Sequence, residues 1–177
     1  LERLFRNFFG ESLYSSLYHI SEHEERLRFL VQQVERITGL SDFGIYMNKL
    51  LTIDAFFLNE DRHTHNVAVL MDGTGNYAYC PVFDNGAGLL ADTTMDYPLT
   101  EDVYLLMDHV QSKTICTDFD EQLDISESLY KRNLKFHFTQ KDVTELLANA
   151  TSYPEEIRSR VEKILSAQMR KYAYLFP

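Results

Sequence analysis

Hydrophobic and polar positions follow a helical spacing along most of the chain. Between Ser21 and Gly39, apolar residues recur every three or four positions, at Leu27, Leu30, Val31, Val34 and Ile37. This spacing predicts an amphipathic helix. Ser21 with Glu24 predicts a capping box at its start, and Gly39 predicts its C-terminal end.

Further helices are predicted on both sides of this segment. Residues 1–20 are rich in aromatic side chains and predict a short helix and a turn, which either pack in the core or form a contact surface. The helix after Asp42 is apolar on several sides, which is typical of a central helix. Helices are also predicted at 101–110, capped by Thr100 or Asp102, and at 122–132, 139–150 and 154–176, with Pro154 in the first helical position of the last.

One segment has strand character instead. "VAVLM" (67–71) predicts a short buried strand, "DGTGN" predicts a turn in which Gly73 and Gly75 supply positive φ, and "YAYCPVF" predicts the returning strand. The predicted fold class is therefore mostly α, a helical domain with one small antiparallel β-hairpin. At 177 residues, the chain is predicted to form a single domain, 1–177, with a real core.

Two polar loops flank this hairpin, "NEDRHTHN" (59–66) before it and "DNGAG" (84–88) after it. Because the strands are antiparallel, both loops are expected side by side at the open end of the hairpin. The amide of Asn66 and the carboxylate of Asp84 are hard oxygen ligands that suit magnesium. Asp61 is then placed to face a substrate hydroxyl while the metal holds phosphate oxygens, which is the arrangement that phosphoryl transfer needs.

The two loops resemble a known pair of motifs. "NEDRHTHN" followed by "PVFDNGAGLL" is similar to the catalytic and metal-binding loops of HipA-like bacterial serine/threonine kinases, toxin-type enzymes related in fold to phosphoinositide lipid kinases. Asp61 and Asn66 have the Asp-x-x-x-x-Asn interval of kinases, and Gly86 follows Asp84 at the offset of Asp-Phe-Gly. The resemblance covers about residues 54–90, and the helical remainder fits a kinase C-terminal lobe.

This resemblance implies an ATP- and magnesium-dependent phosphotransferase acting on a protein serine or threonine. It implies that Asp61 is the catalytic aspartate, which orients or deprotonates the substrate hydroxyl, that Asn66 and Asp84 bind magnesium and thereby ATP, and that His63 lies near the transferred phosphate. A lipid substrate stays open because the motifs are shared, and the family leaves room for an antitoxin-like protein partner.

The chain departs from a complete kinase at its N-terminal side. A kinase needs an N-terminal lobe with a glycine-rich loop and a phosphate-binding lysine. The chain has no glycine-rich loop, and the residues before Ser21 are too few to form that lobe. Since the chain begins with Leu rather than Met, we expect it to be a piece of a larger kinase. Alone it is expected to bind nucleotide weakly and to be inactive.

Two other functions fit parts of the same sequence. Asp61, His63 and His65 alternate and could hold the metal of a divalent-metal-dependent hydrolase. Alternatively, the chain is a kinase-derived binding module without activity. Among the remaining loop residues, Arg62 is expected to form a surface ion pair with Glu60 or Asp92, and Thr64 is expected to face solvent with His65.

The net charge and the cysteine content limit which ligands and which cellular compartment are expected for the chain. The net charge is -10, which argues against nucleic acid as the ligand of this lobe. The two cysteines, Cys80 and Cys116, predict buried thiols in a reducing compartment rather than a disulfide framework. No signal peptide and no spanning segment is recognisable in the sequence, so we expect a cytoplasmic protein.

Overall fold

The computed structural model describes residues 1–177 as eight α-helices, one short 3-10 helix and one two-stranded antiparallel sheet. The mostly α fold class with a single small hairpin is therefore confirmed. The helices are α1 Glu2–Phe9, α2 Leu13–Tyr18, α3 His23–Thr38, α4 Phe43–Phe57, α5 Val103–His109, α6 Phe119–Tyr130, α7 Gln140–Asn149 and α8 Glu155–Lys171, and the 3-10 helix is Ala173–Leu175. No helix combines the length and apolar character that crossing a bilayer requires.

Helix α4 lies at the centre of the molecule and joins its two hydrophobic clusters. Its first half contributes Met47 and Leu50 to a cluster shared with α1, α2 and α3. Its last turns contribute Ala55 and Phe56 to a second cluster, shared with α5 to α8. Burying each of these large apolar side chains contributes about 1.5–3 kcal/mol. The prediction of a central helix after Asp42 is thus confirmed, and its C-terminal end delivers the chain to the first polar loop.

The contact between α4 and α6 is close because Gly44 has no side chain. A Cβ atom at this position would lie 2.3 Å from Cδ1 of the Tyr130 ring. One turn further along α4, the buried Asn48 amide donates to the Ser126 hydroxyl at 3.0 Å and accepts from the Asn133 backbone at 3.0 Å. The two helices are therefore held in register by a polar pair inside an apolar contact.

Helix α3 ends at the predicted residue, but its start differs from the prediction. Its first residue is His23, the N-cap position is Glu22, and no side chain caps it. The capping box of Ser21 with Glu24 is therefore wrong, because Ser21 lies one residue before the N-cap. Gly39 ends the helix with φ 75 and donates to the Glu35 carbonyl at 2.8 Å, as predicted.

Side-chain caps fix the starts of the later helices. Asp102, and not Thr100, caps α5, because its side chain accepts from the backbone amides of Tyr104 and Leu105. Asp118 caps α6 in the same way, so that α6 begins at Phe119 rather than at 122. Pro154 occupies the N-cap of α8 instead of the first helical position. The starts of α5 and α6 thus follow from which side chain captures the free amides, whereas no side chain caps α8.

The hairpin consists of β1 Val69–Met71 and β2 Tyr77–Tyr79, with Val69 opposite Tyr79. The prediction of a buried first strand is wrong, since Leu70 is 50% exposed and Met71 64%. The two-stranded ribbon packs at Val69 and stacks Tyr79 on Tyr46, and nothing covers its outer face. In the turn, Gly75 has φ 88 as predicted, whereas Gly73 does not have positive φ.

The aromatic N-terminal segment is divided between the core and the surface. Phe5 is buried in the first cluster, whereas Phe8 is 58% exposed. Glu2 is buried and accepts from the Ser12 hydroxyl at 2.6 Å and the Leu13 amide at 2.8 Å, which ties α1 to the start of α2. Core packing therefore holds for Phe5, and the contact surface stays a prediction for the exposed Phe8.

Candidate active site

Arg62 forms the centre of the polar region at the end of α4. Its side chain is completely buried, and it makes five hydrogen bonds, which satisfy all five donors of a guanidinium. Two of these bonds go to the carboxylate of Asp54, from Nε to Oδ2 at 2.9 Å and from Nη2 to Oδ1 at 3.0 Å. This bidentate pair fixes Arg62 on the last turns of α4.

The remaining bonds of Arg62 join the two polar loops. Its Nη1 donates both to the carbonyl of Asn66 at 2.9 Å and to the carbonyl of Phe83 at 2.6 Å, and its Nη2 donates to the side chain of Asn85. Asn66 ends the first loop, and the Phe83 carbonyl belongs to the peptide bond that leads into Asp84. The expected meeting of the loops at the open end of the hairpin is therefore observed, and one guanidinium connects them.

Asp54 is held in place from both sides. Its carboxylate accepts from the Asn59 amide at 2.7 Å as well as from Arg62, and its side chain is almost fully buried. Burial raises the pKa of Asp54, and the hydrogen bonds from Arg62 and Asn59 oppose that shift. A carboxylate in this position organises the loop and is too enclosed to meet a substrate.

Asp61 and Asn66 present free oxygen atoms at the surface of this cluster. The Asn66 amide nitrogen donates to the Asp61 carbonyl at 3.0 Å, so its amide oxygen points away from that bond and accepts nothing from the protein. The Asp61 carboxylate accepts no hydrogen bond either, and the closest basic side-chain nitrogens are His63 Nε2 at 3.9 Å and Lys113 Nζ at 4.0 Å. The amide oxygen of Asn66 and the carboxylate of Asp61 are therefore free of hydrogen bonds within the protein.

Asp84 lies at the start of the second loop with an exposed side chain that has no protein partner. Its φ is 54, whereas Asn85 and Gly86 do not have positive φ, which excludes a type I′ turn as the role of this segment. Left-handed conformations also occur at Leu58, Leu89 and Leu90, which flank the loops. Strained backbone of this kind concentrates at functional sites.

A cavity of about 420 Å³ opens beside the first loop. Its lining includes His63, Thr64 and Lys113 as well as Tyr14 and Ser112. The hydroxyl of Thr64 is buried in its wall without a hydrogen-bond partner. Lys113, which lines the cavity, has its Nζ 4.0 Å from the Asp61 carboxylate, so the cavity lies next to Asp61.

Two expectations about this loop are wrong. Arg62 does not form a surface ion pair with Glu60 or Asp92, because its partner is the buried Asp54. Thr64 is 4% exposed and does not face solvent, whereas His65 does. Both residues follow the chain inward because the loop turns back over the end of α4.

Sequence reasoning missed Asp54 and Lys113. Asp54 had a usable signal, since it is an acidic residue within an otherwise apolar helix, eight positions before an arginine. Lys113 had none, because it reaches Asp61 from the segment between α5 and α6, far away in sequence.

The histidines and cysteines are arranged differently from the hydrolase hypothesis. Among His, Cys, Asp and Glu side chains, one set of three brings its ligand atoms within 4.8 Å of one another, and this set is His23, Cys116 and Glu121. Asp61, His63 and His65 do not form such a group in this conformation. Cys80 and Cys116 are free thiols, and burial raises the pKa of Cys116 to about 11.

Compared with known proteins, the chain matches no protein-family model, no curated protein and no solved structure.

Proposed function

We propose that the chain is the catalytic-loop lobe of an ATP- and magnesium-dependent kinase that transfers phosphate to a protein serine or threonine. The observation that carries this proposal is the Arg62 guanidinium, which bonds Asn66 and the Phe83–Asp84 peptide at once. This contact supports a shared role for the two motifs that resemble HipA-like kinases. A chance resemblance gives no reason for the two loops to be joined by a fully buried charge.

The free oxygens of Asn66 and Asp84 fit a magnesium site. Both are hard ligands, and neither accepts a hydrogen bond from the protein. The Asn66 carbonyl bonds Arg62, and Asp84 directly follows the Phe83 carbonyl that Arg62 also bonds. A magnesium ion bound there supplies neutralisation of the phosphate charge. Arg62 keeps the two loops in register, and its own charge is already matched by Asp54.

Asp61 is the residue proposed to receive the proton of the substrate hydroxyl. Its carboxylate is partly exposed, free of internal hydrogen bonds and next to the cavity that Lys113 and His63 line. A hydroxyl-bearing segment bound in this cavity is proposed to present its hydroxyl to Asp61. Lys113 and His63 lie where they can face the negative charge of a transferred phosphate.

Manganese, used as a paramagnetic substitute for magnesium, tests the metal site on this chain. We expect Mn²⁺ with an ATP analogue to broaden the amide NMR signals of residues 61–66 and 83–86 together, and Asp84→Ala to abolish this. Asp108→Ala, which removes an exposed carboxylate on α5, is the matched control and leaves the broadening intact. Broadening that is confined to other acidic surfaces, or is unaffected by Asp84→Ala, contradicts the site and favours the binding module.

Phosphate transfer tests the role of Asp61 in the protein as naturally expressed. Asp61→Asn keeps the size of the side chain and removes its ability to accept a proton. We expect the transfer rate to fall by a factor of roughly 10²–10⁴, with nucleotide binding preserved. Asp108→Asn serves as the control with unchanged transfer. Transfer retained in Asp61→Asn rejects this residue as the base, and hydrolysis of an unrelated ester with zinc instead supports the hydrolase.

A further inference from the structure

A second group of ligand-type side chains lies away from the proposed kinase site, where three elements meet. His23 is the first residue of α3, Cys116 lies between α5 and α6, and Glu121 belongs to the first turn of α6. One ligand atom from each lies within 4.8 Å of the other two. His23 Nδ1 and Glu121 Oε1 are 2.5 Å apart.

The donor types in this group select a particular class of cation. A sulfur, a nitrogen and a carboxylate oxygen suit a borderline-soft ion such as zinc, whereas magnesium and calcium prefer oxygen alone. In a tetrahedral zinc site, neighbouring ligand atoms lie about 3.3–3.8 Å apart, as follows from the bond lengths. The three ligand atoms lie within 4.8 Å of one another, and the separation of His23 from Glu121 would have to widen from 2.5 Å on binding the ion.

The backbone that carries Cys116 is firmly held. The preceding residue, Ile115, donates its amide to Gln122 at 2.9 Å and accepts at its carbonyl from Arg26 at 2.9 Å. Gln122 and Arg26 belong to α6 and α3, the two helices that also supply Glu121 and His23. The sulfur is therefore positioned by the same elements as the other two ligand atoms, which is the preorganisation that a metal site needs.

We propose that His23, Cys116 and Glu121 bind one zinc ion, with a fourth position left to water. Cys116 is buried, while the side chains of His23 and Glu121 are 34% and 49% exposed. The outer side of the group is therefore open to solvent, and Cys116 also borders the 420 Å³ cavity. This site differs from the magnesium site in its ion, its ligands and its place in the fold, and it does not depend on kinase activity.

Cobalt and zinc titrations of the metal-free chain test the site directly. Co²⁺ is expected to give a sulfur-to-metal charge-transfer band and intense tetrahedral visible bands at one equivalent, and Zn²⁺ to displace it. Cys116→Ser removes the charge-transfer band. Glu121→Gln and His23→Gln are expected to weaken Zn²⁺ binding by at least about tenfold, because the loss of a residue that only hydrogen-bonds a metal ligand already lowers metal affinity about tenfold.

Matched variants separate this site from adventitious binding. Cys80→Ser and His109→Gln remove the other cysteine and an exposed histidine, and both are expected to bind Co²⁺ and Zn²⁺ like the unaltered chain. Glu121→Gln changes an exposed side chain and is expected to leave the fold intact. It therefore still tests the site if Cys116→Ser does not fold. The proposal is overturned if the unaltered chain gives no charge-transfer band, if Cys116→Ser keeps it, or if Glu121→Gln binds Zn²⁺ as tightly as the unaltered chain.

Discussion

At the scale of single residues, Arg62 carries a charge where water cannot reach it. Such a residue is tolerated only when its donors are satisfied and its charge is paired, and Asp54 with the two loop carbonyls meets both conditions. A hydrophobic pair of similar volume could stabilise the fold equally well. What Arg62 adds is geometry, because its planar fork fixes the distance between loops that belong to different segments.

The substitution Arg62→Lys tests this role. Lysine keeps the charge but has three donors and no planar fork, so it leaves Asp54 or the loop carbonyls without partners. We expect the free energy of unfolding to fall by about 3 kcal/mol or more, measured by urea denaturation.

Arg132→Lys is the matched control for that substitution. Arg132 also makes a two-point contact with a carboxylate, Glu127, but its side chain is 45% exposed. We expect this change to cost less than about 1 kcal/mol. Equal losses in the two variants would show that burial and the loop carbonyls add nothing to the contact of Arg62.

Residue-level predictions from the sequence succeeded where local spacing was enough. The positions of Asp61, Asn66 and Asp84 in two loops beside a hairpin followed from residue order alone. The burial of Arg62 did not, because it depends on the path of the loop over the end of α4. Asp54 was not recognised as the partner of Arg62, because a helix of mostly apolar residues is predicted to pack in the core.

At the scale of elements, the hairpin turn depends on one aspartate. Asp72 accepts from the Thr74 hydroxyl at 2.7 Å, from the Thr74 amide at 2.8 Å and from the Asn76 amide at 2.9 Å. This turn connects the two strands whose far ends lead to the two polar loops, 59–66 and 84–88. Its side-chain bonds therefore compensate for strands of only three residues each.

The turn makes the hairpin sensitive to acid. The hydrogen bonds from Thr74 and Asn76 lower the pKa of Asp72 from 3.8 to about 2. Its stabilising effect is fully present above the unfolded value near pH 4 and is lost as the pH falls through about 2. We expect a carboxyl NMR titration to give this midpoint and Thr74→Val to move it upward. A midpoint equal to that of the unfolded chain would contradict the turn geometry.

Helices were easier to predict than their ends or the exposure of strands. The 3.6-residue period of α3 and α8 comes from one face packing on the core, and α4 is recognisable because it is apolar on several sides, so all three helices can be predicted from the sequence. The start of α6 at Phe119 depends on which residue captures the first free amides, here Asp118, whereas no side chain caps the start of α3 at His23. The exposure of Leu70 depends on whether another layer covers the ribbon, and no local pattern reports that.

At the scale of the whole molecule, α4 makes one cooperative unit of two hydrophobic clusters. Phe56 lies at its C-terminal end with 0% exposure, packed against the rings of Phe57, Phe136, Phe138, Tyr172 and Phe176. The other cluster includes Met47 and Leu50 of the same helix. Loss of packing at one end of α4 should therefore be felt at the other.

Phe56→Ala tests this cooperativity. We expect it to lower the free energy of unfolding by about 3–5 kcal/mol and hydrogen-exchange protection to fall in α3 as well as in α8. Phe8→Ala removes a ring that is 58% exposed and should stay within about 0.5 kcal/mol of the unaltered chain. Protection lost only in α8 would mean that the chain unfolds in two parts, against the prediction of a single domain.

The bare backbone at Gly44 also limits how this sequence can vary. Any side chain there meets the Tyr130 ring at 2.3 Å, and α6 cannot move away freely because it also carries Gln122, which holds Ile115 beside Cys116. Natural variants with alanine at position 44 should therefore have a smaller residue at position 130. Paired change at these two positions would record, in the history of the sequence, how closely the two helices touch.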